Sequence, residues 1–172
     1  VYASGNHEVG CFHHGNPDRR PSPQPLPEDY LRELSSRGIL FVENECRESG
    51  GILFCGLGTG IHGDRNEPDP AVLDLFRTLP SNRPKILLSH HPEYYPRYLR
   101  DLDFDLIVCG HAHGGQWRFF GRGVYAPGQG LFPRYTSGLH GGVCVISRGV
   151  SGCTRIPRIF NEPEIPLSLF GG

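Results

Sequence analysis

Short apolar runs recur along the chain, each bounded by polar or glycine-rich segments, and this pattern predicts a set of β-strands. The runs up to residue 115 lie at 38–44, 50–58, 85–92 and 105–115. The last third carries shorter aromatic or β-branched segments, WRFF, VCVIS and PLSLF, which predict a series of further strands. Polar clusters directly follow several of the runs, as in proteins that build their sites from loops beyond strand ends.

Amphipathic segments between these runs predict helices. In PEDYLRELSSRG the apolar side chains fall on one helical face. A second helix is expected to begin at Asp69 and Pro70, a pair typical of helix N-termini. Residues 94–101 favour a third, weaker helix. The alternation predicts the α/β class, with mixed β-sheets packed as a sandwich and flanked by helices.

Composition narrows the classes of function. The 172 residues carry 17 basic and 18 acidic side chains, and a formal net charge of −1 argues against a nucleic-acid partner held by a broad basic surface. The 17 aromatic Phe and Tyr residues are enough to anchor a core. No apolar run approaches the roughly 18 residues of a membrane span. We therefore expect residues 1–172 to form a single globular domain.

Six cysteines are scattered along the chain without a C-x-x-C pair. A zinc ribbon needs tighter clustering, and a disulfide framework is typical of shorter secreted chains. Cys55, Cys109 and Cys144 lie inside apolar runs, so we expect them to be buried thiols that pack as small hydrophobic side chains. Reduced cysteines favour a cytoplasmic location or a membrane surface on the cytoplasmic side.

Three clusters rich in histidine and glycine carry the candidate chemistry. They are GNHE at 5–8, SHHP at 89–92 and GHAHGGQ at 110–116. Imidazole nitrogens and amide oxygens bind divalent ions such as Zn²⁺, Mn²⁺ and Fe²⁺, and glycines let the backbone approach an ion closely. Each cluster alone also fits an ordinary turn. Their order along the chain, with each cluster expected to follow an apolar strand, predicts a shared metal site.

The three clusters, in this order, resemble the last three signature blocks of the calcineurin-like metallophosphoesterases. The GHxHGGQ form and the tail SRGVSGCTRIPRIFNEPEIPLSLF are similar to the YkuE/YaeI-type branch of that family. The resemblance implies a four-layer αββα fold and two-metal hydrolysis of a phosphomonoester, phosphodiester or pyrophosphate bond. It further implies two divalent ions (Mn, Zn, Fe or Mg) and a small phosphate-ester or lipid-linked substrate, with peripheral contact to a membrane.

The resemblance also implies roles for individual residues. The implied metal ligands are Asn6, His90 and His111 for the second metal and His113 for the first. His7 is implied to protonate the leaving group or to stabilise the transition state. His90 is preferred to His91 because the family's ligand directly follows the strand and a small residue.

Two blocks of the family pattern, D-x-H and G-D-x-x-D, do not occur in this chain, which starts at Val1 and contains no methionine. We therefore expect the chain to be the N-terminally truncated, C-terminal part of an enzyme, with the two blocks encoded upstream. Little or no two-metal activity is expected from the chain alone. Asp64, Asp103 and Asp105 are better explained as surface-loop residues than as replacement ligands.

A non-enzymatic metal-binding or scaffold domain with a single ion is the alternative class. It is disfavoured because structural zinc sites use cysteine-rich ligand sets, whereas these cysteines avoid the histidine clusters. A serine hydrolase is disfavoured because no G-x-S-x-G elbow occurs. Five arginines can meet a phosphate or an anionic head group, although a solvated surface is the simpler interpretation: Arg19, Arg20, Arg118, Arg122 and Arg134.

Overall fold

The computed structural model describes residues 1–9, 25–60, 67–150 and 157–168. Within these ranges the chain forms two α-helices, α1 (Glu28–Ser36) and α2 (Pro70–Arg77). The strands of the same ranges are β1 (Glu45–Ser49), β2 (Ile52–Leu57), β3 (Lys85–Ser89), β4 (Leu106–Cys109), β5 (Arg118–Phe119), β6 (Arg122–Gly123), β7 (Tyr125–Ala126), β8 (Gly130–Leu131), β9 (Gly138–His140) and β10 (Cys144–Ile146).

A six-stranded mixed sheet organises the molecule, with the strand order β1-β2-β3-β4-β10-β9. The four central strands run parallel, and the two edge strands are antiparallel to their neighbours. This arrangement confirms the predicted α/β class with a mixed sheet. The other strands of the described residues form two-stranded sheets, β5 with β6 and β7 with β8. Central strands of a parallel sheet are buried on both faces, which explains their continuous apolar sequence.

The predicted helices are confirmed. The Asp69 side chain accepts a hydrogen bond from the Ala71 backbone N–H at 2.9 Å, which caps the N-terminus of α2. Helix α2 packs its buried apolar face against the sheet core. The weak helix expected over 94–101 is a π-helical turn, Tyr95–Leu99, whose first and last side chains are buried. Among the described residues, no helix is both long and apolar enough to cross a membrane.

The strand predicted at 38–44 is wrong. In the described structure this segment makes one bridge, between Phe41 and Tyr2, and the extended strand beside β2 is instead the polar segment Glu45–Ser49. A tight turn at Gly50 and Gly51 folds β1 back on β2, so hairpin pairing rather than apolar content decides where the strand lies. The strand predicted at PLSLF is absent over 166–168, and its last two residues lie outside the described ranges.

Cys46 and Cys55 form a disulfide, which corrects the expectation that Cys55 is a free thiol. The two residues face each other across the β1–β2 hairpin, and their Cα atoms are 4.1 Å apart. The two cysteines are nine positions apart and lie on opposite strands of the hairpin. Their pairing depends on the register of β1, so it could not be predicted without knowing where β1 lies. Cys109 and Cys144 are buried free thiols on neighbouring parallel strands, as predicted.

We predict that the Cys46–Cys55 disulfide stabilises the hairpin edge. Closing so short a loop is expected to contribute about 2–3 kcal/mol to the free energy of unfolding. Chemical denaturation of the wild type, with and without reductant, measures this contribution, and the C46A/C55A double variant is the matched control. Reduction should destabilise the wild type and leave the double variant unchanged. An unfolding free energy that reduction does not alter in either protein contradicts the prediction.

Candidate metal centre

The carboxyl ends of β3 and β4 lie side by side because the two strands are parallel neighbours in the sheet. His90 directly follows β3, and His111 follows β4 after one glycine. Asn6 reaches the same edge from the N-terminal segment. Tyr2 anchors that segment, since its N–H donates to the Leu40 carbonyl at 2.8 Å and its carbonyl accepts from the Val42 N–H at 2.9 Å. The three predicted histidine–asparagine clusters therefore converge at one edge of the sheet.

Three of the predicted ligands present their donor atoms to one another. His90 Nε2 lies 2.8 Å from Asn6 Oδ1 and 3.1 Å from His111 Nδ1. Ligand atoms bound at about 2.1 Å to one ion, at right angles, lie about 3 Å apart. The two distances therefore fit a shared divalent ion, and the donor set of two imidazoles and an amide oxygen suits Zn²⁺, Mn²⁺ or Fe²⁺. Ligation by these residues stays a prediction.

Gly5 is required for the approach of Asn6 to the histidines. A Cβ atom at this position would lie 2.6 Å from Cε1 of His90, inside any tolerated contact. The Gly5 backbone N–H also donates to a Glu8 carboxylate oxygen at 2.9 Å, which holds the turn that presents Asn6. The glycine, asparagine and acidic positions of the GNHE cluster thus each have a local role in shaping the site.

The site keeps its imidazoles neutral. Burial lowers the pKa of His90 from its ordinary 6.5 to about 3 and that of His111 to about 2, and repulsion from the neighbouring His91 adds to both shifts. His113 also contributes to lowering the pKa of both rings, so it lies close to them. Neutral imidazole is the form that binds metal ions, so the site is prepared for a cation without first losing protons.

His91 and Glu93 form a second group behind these ligands. His91 Nδ1 lies 3.2 Å from Glu93 Oε1, and the His91 ring centroid is 4.4 Å from that of His111. Burial lowers the pKa of His91 to about 4 and raises that of Glu93. One ligand atom from each of the three side chains lies within 4.8 Å of the others, so they are also a candidate cation cluster.

Glu93 was missed by the sequence analysis, and His91 was set aside there. The sequence signal is an acidic residue three positions after His90 in the turn that follows β3. The distances nevertheless favour His90 over His91 as the metal ligand, because His90 Nε2 lies close to both Asn6 and His111. His91 instead packs between Tyr94 and His111, with ring centroids 4.9 and 4.4 Å away.

The other two predicted site residues lie on the rim. His7 is exposed, in the turn directly after Asn6. His113 is half-buried and opens a short 3-10 turn, His113–Gly115. The backbone at His111, His113 and Gln116 is left-handed, with φ values of 60°, 47° and 57°. Such conformations cost free energy in residues other than glycine and concentrate at functional loops, which supports a functional role for this loop.

The C-terminal tail clamps this strained loop. The buried Asn161 side chain donates from Nδ2 to the His113 carbonyl at 2.6 Å and to the Gln116 carbonyl at 3.0 Å. Arg118 Nη1 donates to the Gly114 carbonyl at 2.8 Å from the other side. The His113 and Gln116 carbonyls also accept backbone hydrogen bonds, from the Gln116 N–H at 3.2 Å and the Ile159 N–H at 3.3 Å, so the side-chain donors add to an existing network. The tail motif noted in the sequence therefore has a physical role in fixing the loop that carries His111 and His113.

The remaining acidic candidates are remote from this edge. Asp103 and Asp105 both bond to Lys85, at the start of β3, whereas His90 follows the end of that strand. They therefore lie at the end of the strands opposite to the histidines, in agreement with the interpretation of Asp103 and Asp105 as surface-loop residues. Asp64, Arg19 and Arg20 lie outside the described residues.

The fold and the strand-end cluster define an α/β protein with a candidate metal site on the loops beyond a mixed sheet. The chain belongs to the calcineurin-like phosphoesterase family, whose model matches residues 1–115. This confirms the resemblance seen in the sequence. The match ends with the glycines of the GHAHGG loop, so it includes all five predicted site residues.

Several curated relatives are similar to the chain. An uncharacterized metallophosphoesterase of Helicobacter pylori J99 is 30% identical over 67% of this chain and 27% of its own length. The phosphodiesterase YaeI of Escherichia coli K12 is 32% identical over 76% and 45%. The UDP-2,3-diacylglucosamine pyrophosphatase LpxG of Chlamydia muridarum is 33% identical over 66% and 36%. The chain thus spans less than half the length of these relatives. No solved structure matches the chain significantly.

The lowered histidine pKa values predict that the metal-free protein loses stability as the pH falls. Three rings whose folded-state pKa lies well below 6.5 resist protonation, so the unfolded chain binds more protons between about pH 6.5 and 4. Each histidine adds a slope of up to about 1.4 kcal/mol per pH unit in that window. The raised pKa of Glu93 acts in the opposite direction, but it is one group against three.

Chemical denaturation in chelator at about pH 7 and about pH 5 checks this slope. The variant His91→Asn is the matched control, because it removes one titrating ring and keeps a donor for Glu93, and its slope should be shallower. A free energy of unfolding that is unchanged or higher at the lower pH contradicts the account.

Loss of the tail clamp is predicted to weaken metal binding. Asn161→Ala removes both hydrogen bonds to the His113 loop, and the affinity for Mn²⁺ is expected to fall about 10- to 100-fold, as for other residues that orient metal ligands. Isothermal titration with Mn²⁺ measures the affinity, and circular dichroism verifies the fold. Asn82→Ala, at an exposed loop position, is the control. Wild-type affinity in Asn161→Ala would contradict the clamp.

Proposed function

We propose that this protein is a metal-dependent hydrolase of phosphate esters. The observation that carries the proposal is the convergence of Asn6, His90 and His111, with donor atoms 2.8 and 3.1 Å apart, on loops of a calcineurin-like phosphoesterase fold. The non-enzymatic alternative, a domain holding one structural ion, does not explain a cluster open to an exposed histidine. His7 lies on that open rim, in the turn that presents Asn6.

The proposed mechanism uses two ions. Asn6, His90 and His111 would hold one, and His113, which lies close enough to influence the pKa of both other histidines, would hold the other. Divalent ions in such a site supply charge neutralisation at the phosphate and a lower pKa for the attacking water. The described residues offer three ligands to one ion and one to the other. We infer from this uneven set that the 172-residue chain alone turns over slowly.

The protein's own groups would orient the substrate and move a proton. His7 is exposed beside the ligand turn, where its imidazole would donate a proton to the leaving oxygen. The clamp on the loop of His113 would keep the ligand geometry constant while the substrate binds. Neutral His90 and His111 would leave the positive charge of the site to the ions and so favour an anionic phosphate.

The substrate class is proposed from the relatives. One is named a phosphodiesterase and another a pyrophosphatase of a diacylated nucleotide sugar. A phosphodiester or pyrophosphate on a lipid-linked molecule is therefore the proposed substrate for this chain. The Cys46–Cys55 disulfide removes the argument for a cytoplasmic location, because disulfides persist in oxidising compartments. We propose a location at a membrane surface in such a compartment.

The proposal predicts that removing one ligand strongly weakens metal binding. His111→Ala is expected to weaken Mn²⁺ binding to the 172-residue chain at least about 100-fold, measured by titration calorimetry or electron paramagnetic resonance. His140→Ala is the control, since that imidazole bonds to the Ser137 carbonyl at 3.0 Å and lies on edge strand β9, which contributes no ligand to the site. Unchanged Mn²⁺ affinity in His111→Ala would refute the site.

Activity is tested in a form extended upstream. Mn²⁺-dependent hydrolysis of bis-p-nitrophenyl phosphate should be robust in the extended form and low in the 172-residue chain. In the extended form, His111→Ala should abolish turnover and His140→Ala should preserve it. Robust turnover by the 172-residue chain would contradict the inference that its uneven ligand set limits activity. Normal turnover after His111→Ala would contradict the assignment of His111 as a metal ligand.

A further inference from the structure

Four phenylalanines project from one region of the surface that the catalytic proposal does not use. Phe119 and Phe120 form the tip of the β5–β6 hairpin, Phe132 follows β8, and Phe160 lies in the C-terminal tail. Their exposed fractions are 47%, 105%, 78% and 76%. Large apolar side chains exposed together are uncommon on soluble domains and mark sites of association with another phase or molecule.

Three of these residues also hold a strained backbone. Phe120, Phe132 and Phe160 have φ values of 50°, 52° and 51°, in the left-handed region that bulky side chains rarely adopt. Asparagine or glycine would be easier there for the backbone and better for solubility. At each of three separate turns, a phenylalanine therefore carries both backbone strain and an exposed apolar ring. A functional role for the phenyl ring explains why phenylalanine occurs there despite both costs.

The phenylalanines belong to one continuous surface. The Phe119 and Phe160 ring centroids are 5.9 Å apart, and with Phe120 they line a cavity of about 480 Å³. A second cavity, of about 460 Å³, is lined by Arg122 and Phe132 among others. Arg118 lines both cavities, so the two halves adjoin.

Arginines outnumber acidic side chains in this region. Between Leu106 and Asn161 the sequence has six arginines and no aspartate or glutamate, although the whole chain has a net charge of −1. Beyond this segment, Glu164 pairs with Arg148 at 2.7 Å, and Glu162 is exposed two positions after Phe160. Arg122 and Arg134 are exposed beside Phe132. The Arg134 guanidinium also lies over the Tyr135 ring, with Cζ 5.7 Å from the ring centroid, in a cation–π contact.

We propose that this aromatic–arginine surface (Phe119, Phe120, Phe132, Phe160, Arg122 and Arg134) docks onto an anionic lipid bilayer. Aromatic tips enter the region between head groups and acyl chains, while arginines pair with lipid phosphates. A bilayer suits these residues because the rings project from separate turns. It accepts projecting side chains without a complementary surface, whereas a protein partner must match every turn.

Docking would hold the loop that carries His111 and His113 near the membrane surface. The Val124 N–H, directly after β6, donates to the Gly115 carbonyl at 3.1 Å, and Arg118 bonds to the Gly114 carbonyl at 2.8 Å. The hairpin is thus attached to the loop that carries His111 and His113. A lipid-linked phosphate could then reach the site without leaving the bilayer; this consequence rests on the proposed function, whereas docking itself does not.

Vesicle binding tests the proposal directly. The protein is sedimented with phosphatidylcholine vesicles that contain or lack phosphatidylglycerol. The single tryptophan, Trp117, is 40% exposed next to the hairpin, and its fluorescence should shift to the blue on docking. We expect binding to the anionic vesicles, weakened by salt, and at least tenfold weaker binding in the variant F120N/F132N, whose asparagines suit the left-handed backbone.

Leu139→Asn is the matched control, because Leu139 is 63% exposed but lies on edge strand β9, outside the surface. It should bind vesicles like the wild type. Mn²⁺ titration separates the two proposals, since F120N/F132N should retain wild-type Mn²⁺ affinity. Three results would each overturn docking: no binding of the wild type to anionic vesicles, equal binding by F120N/F132N, or a phenylalanine-dependent dimer in sedimentation equilibrium that does not bind vesicles.

Discussion

Parallel pairing of β3 with β4 is the constraint on which the site depends, because it brings the ends of two distant segments to one edge of the sheet. His90 and His111 are 21 positions apart in sequence, yet their ring nitrogens lie 3.1 Å apart. The antiparallel pairing common in hairpins would place these two strand ends at opposite edges. The apolar runs before the histidines therefore have a functional role, since they drive the burial that fixes the strand order.

The same burial determines the electrostatics of the site. A ring enclosed by sheet and loops loses hydration, and the cost falls on its charged form, so His90, His91 and His111 all stay neutral. Neutral rings whose nitrogens lie close together can form few hydrogen bonds with one another. One cation can accept lone pairs from several of these nitrogens at once. The left-handed backbone of the His113 loop costs conformational free energy, and the hydrogen bond from Asn161 helps to hold the loop in that conformation.

Sequence patterns were sufficient for the parts of the molecule that depend on local physics. The Asp69 cap, the buried central strands and the His90 and His111 positions follow from residue type and order. Features that depend on strand register could not be predicted from the sequence. The β1 strand is polar because it is an edge strand, so a strand was predicted in the apolar segment before it. The Cys46–Cys55 disulfide depends on the register of β1 with β2, so it was not predicted either. Glu93 was missed because its proximity to His91 and His111 arises from a turn that apolar periodicity does not describe.

Two neighbouring clusters share His111, and the central claim is that Asn6 and His90, rather than His91 and Glu93, complete the ion's ligands. Anomalous diffraction at the manganese edge, from crystals grown with Mn²⁺, distinguishes them most directly. The account predicts a peak about 2.1–2.3 Å from Asn6 Oδ1, His90 Nε2 and His111 Nδ1. A peak held by His91, Glu93 and His111, with Asn6 and His90 out of bonding distance, would contradict it.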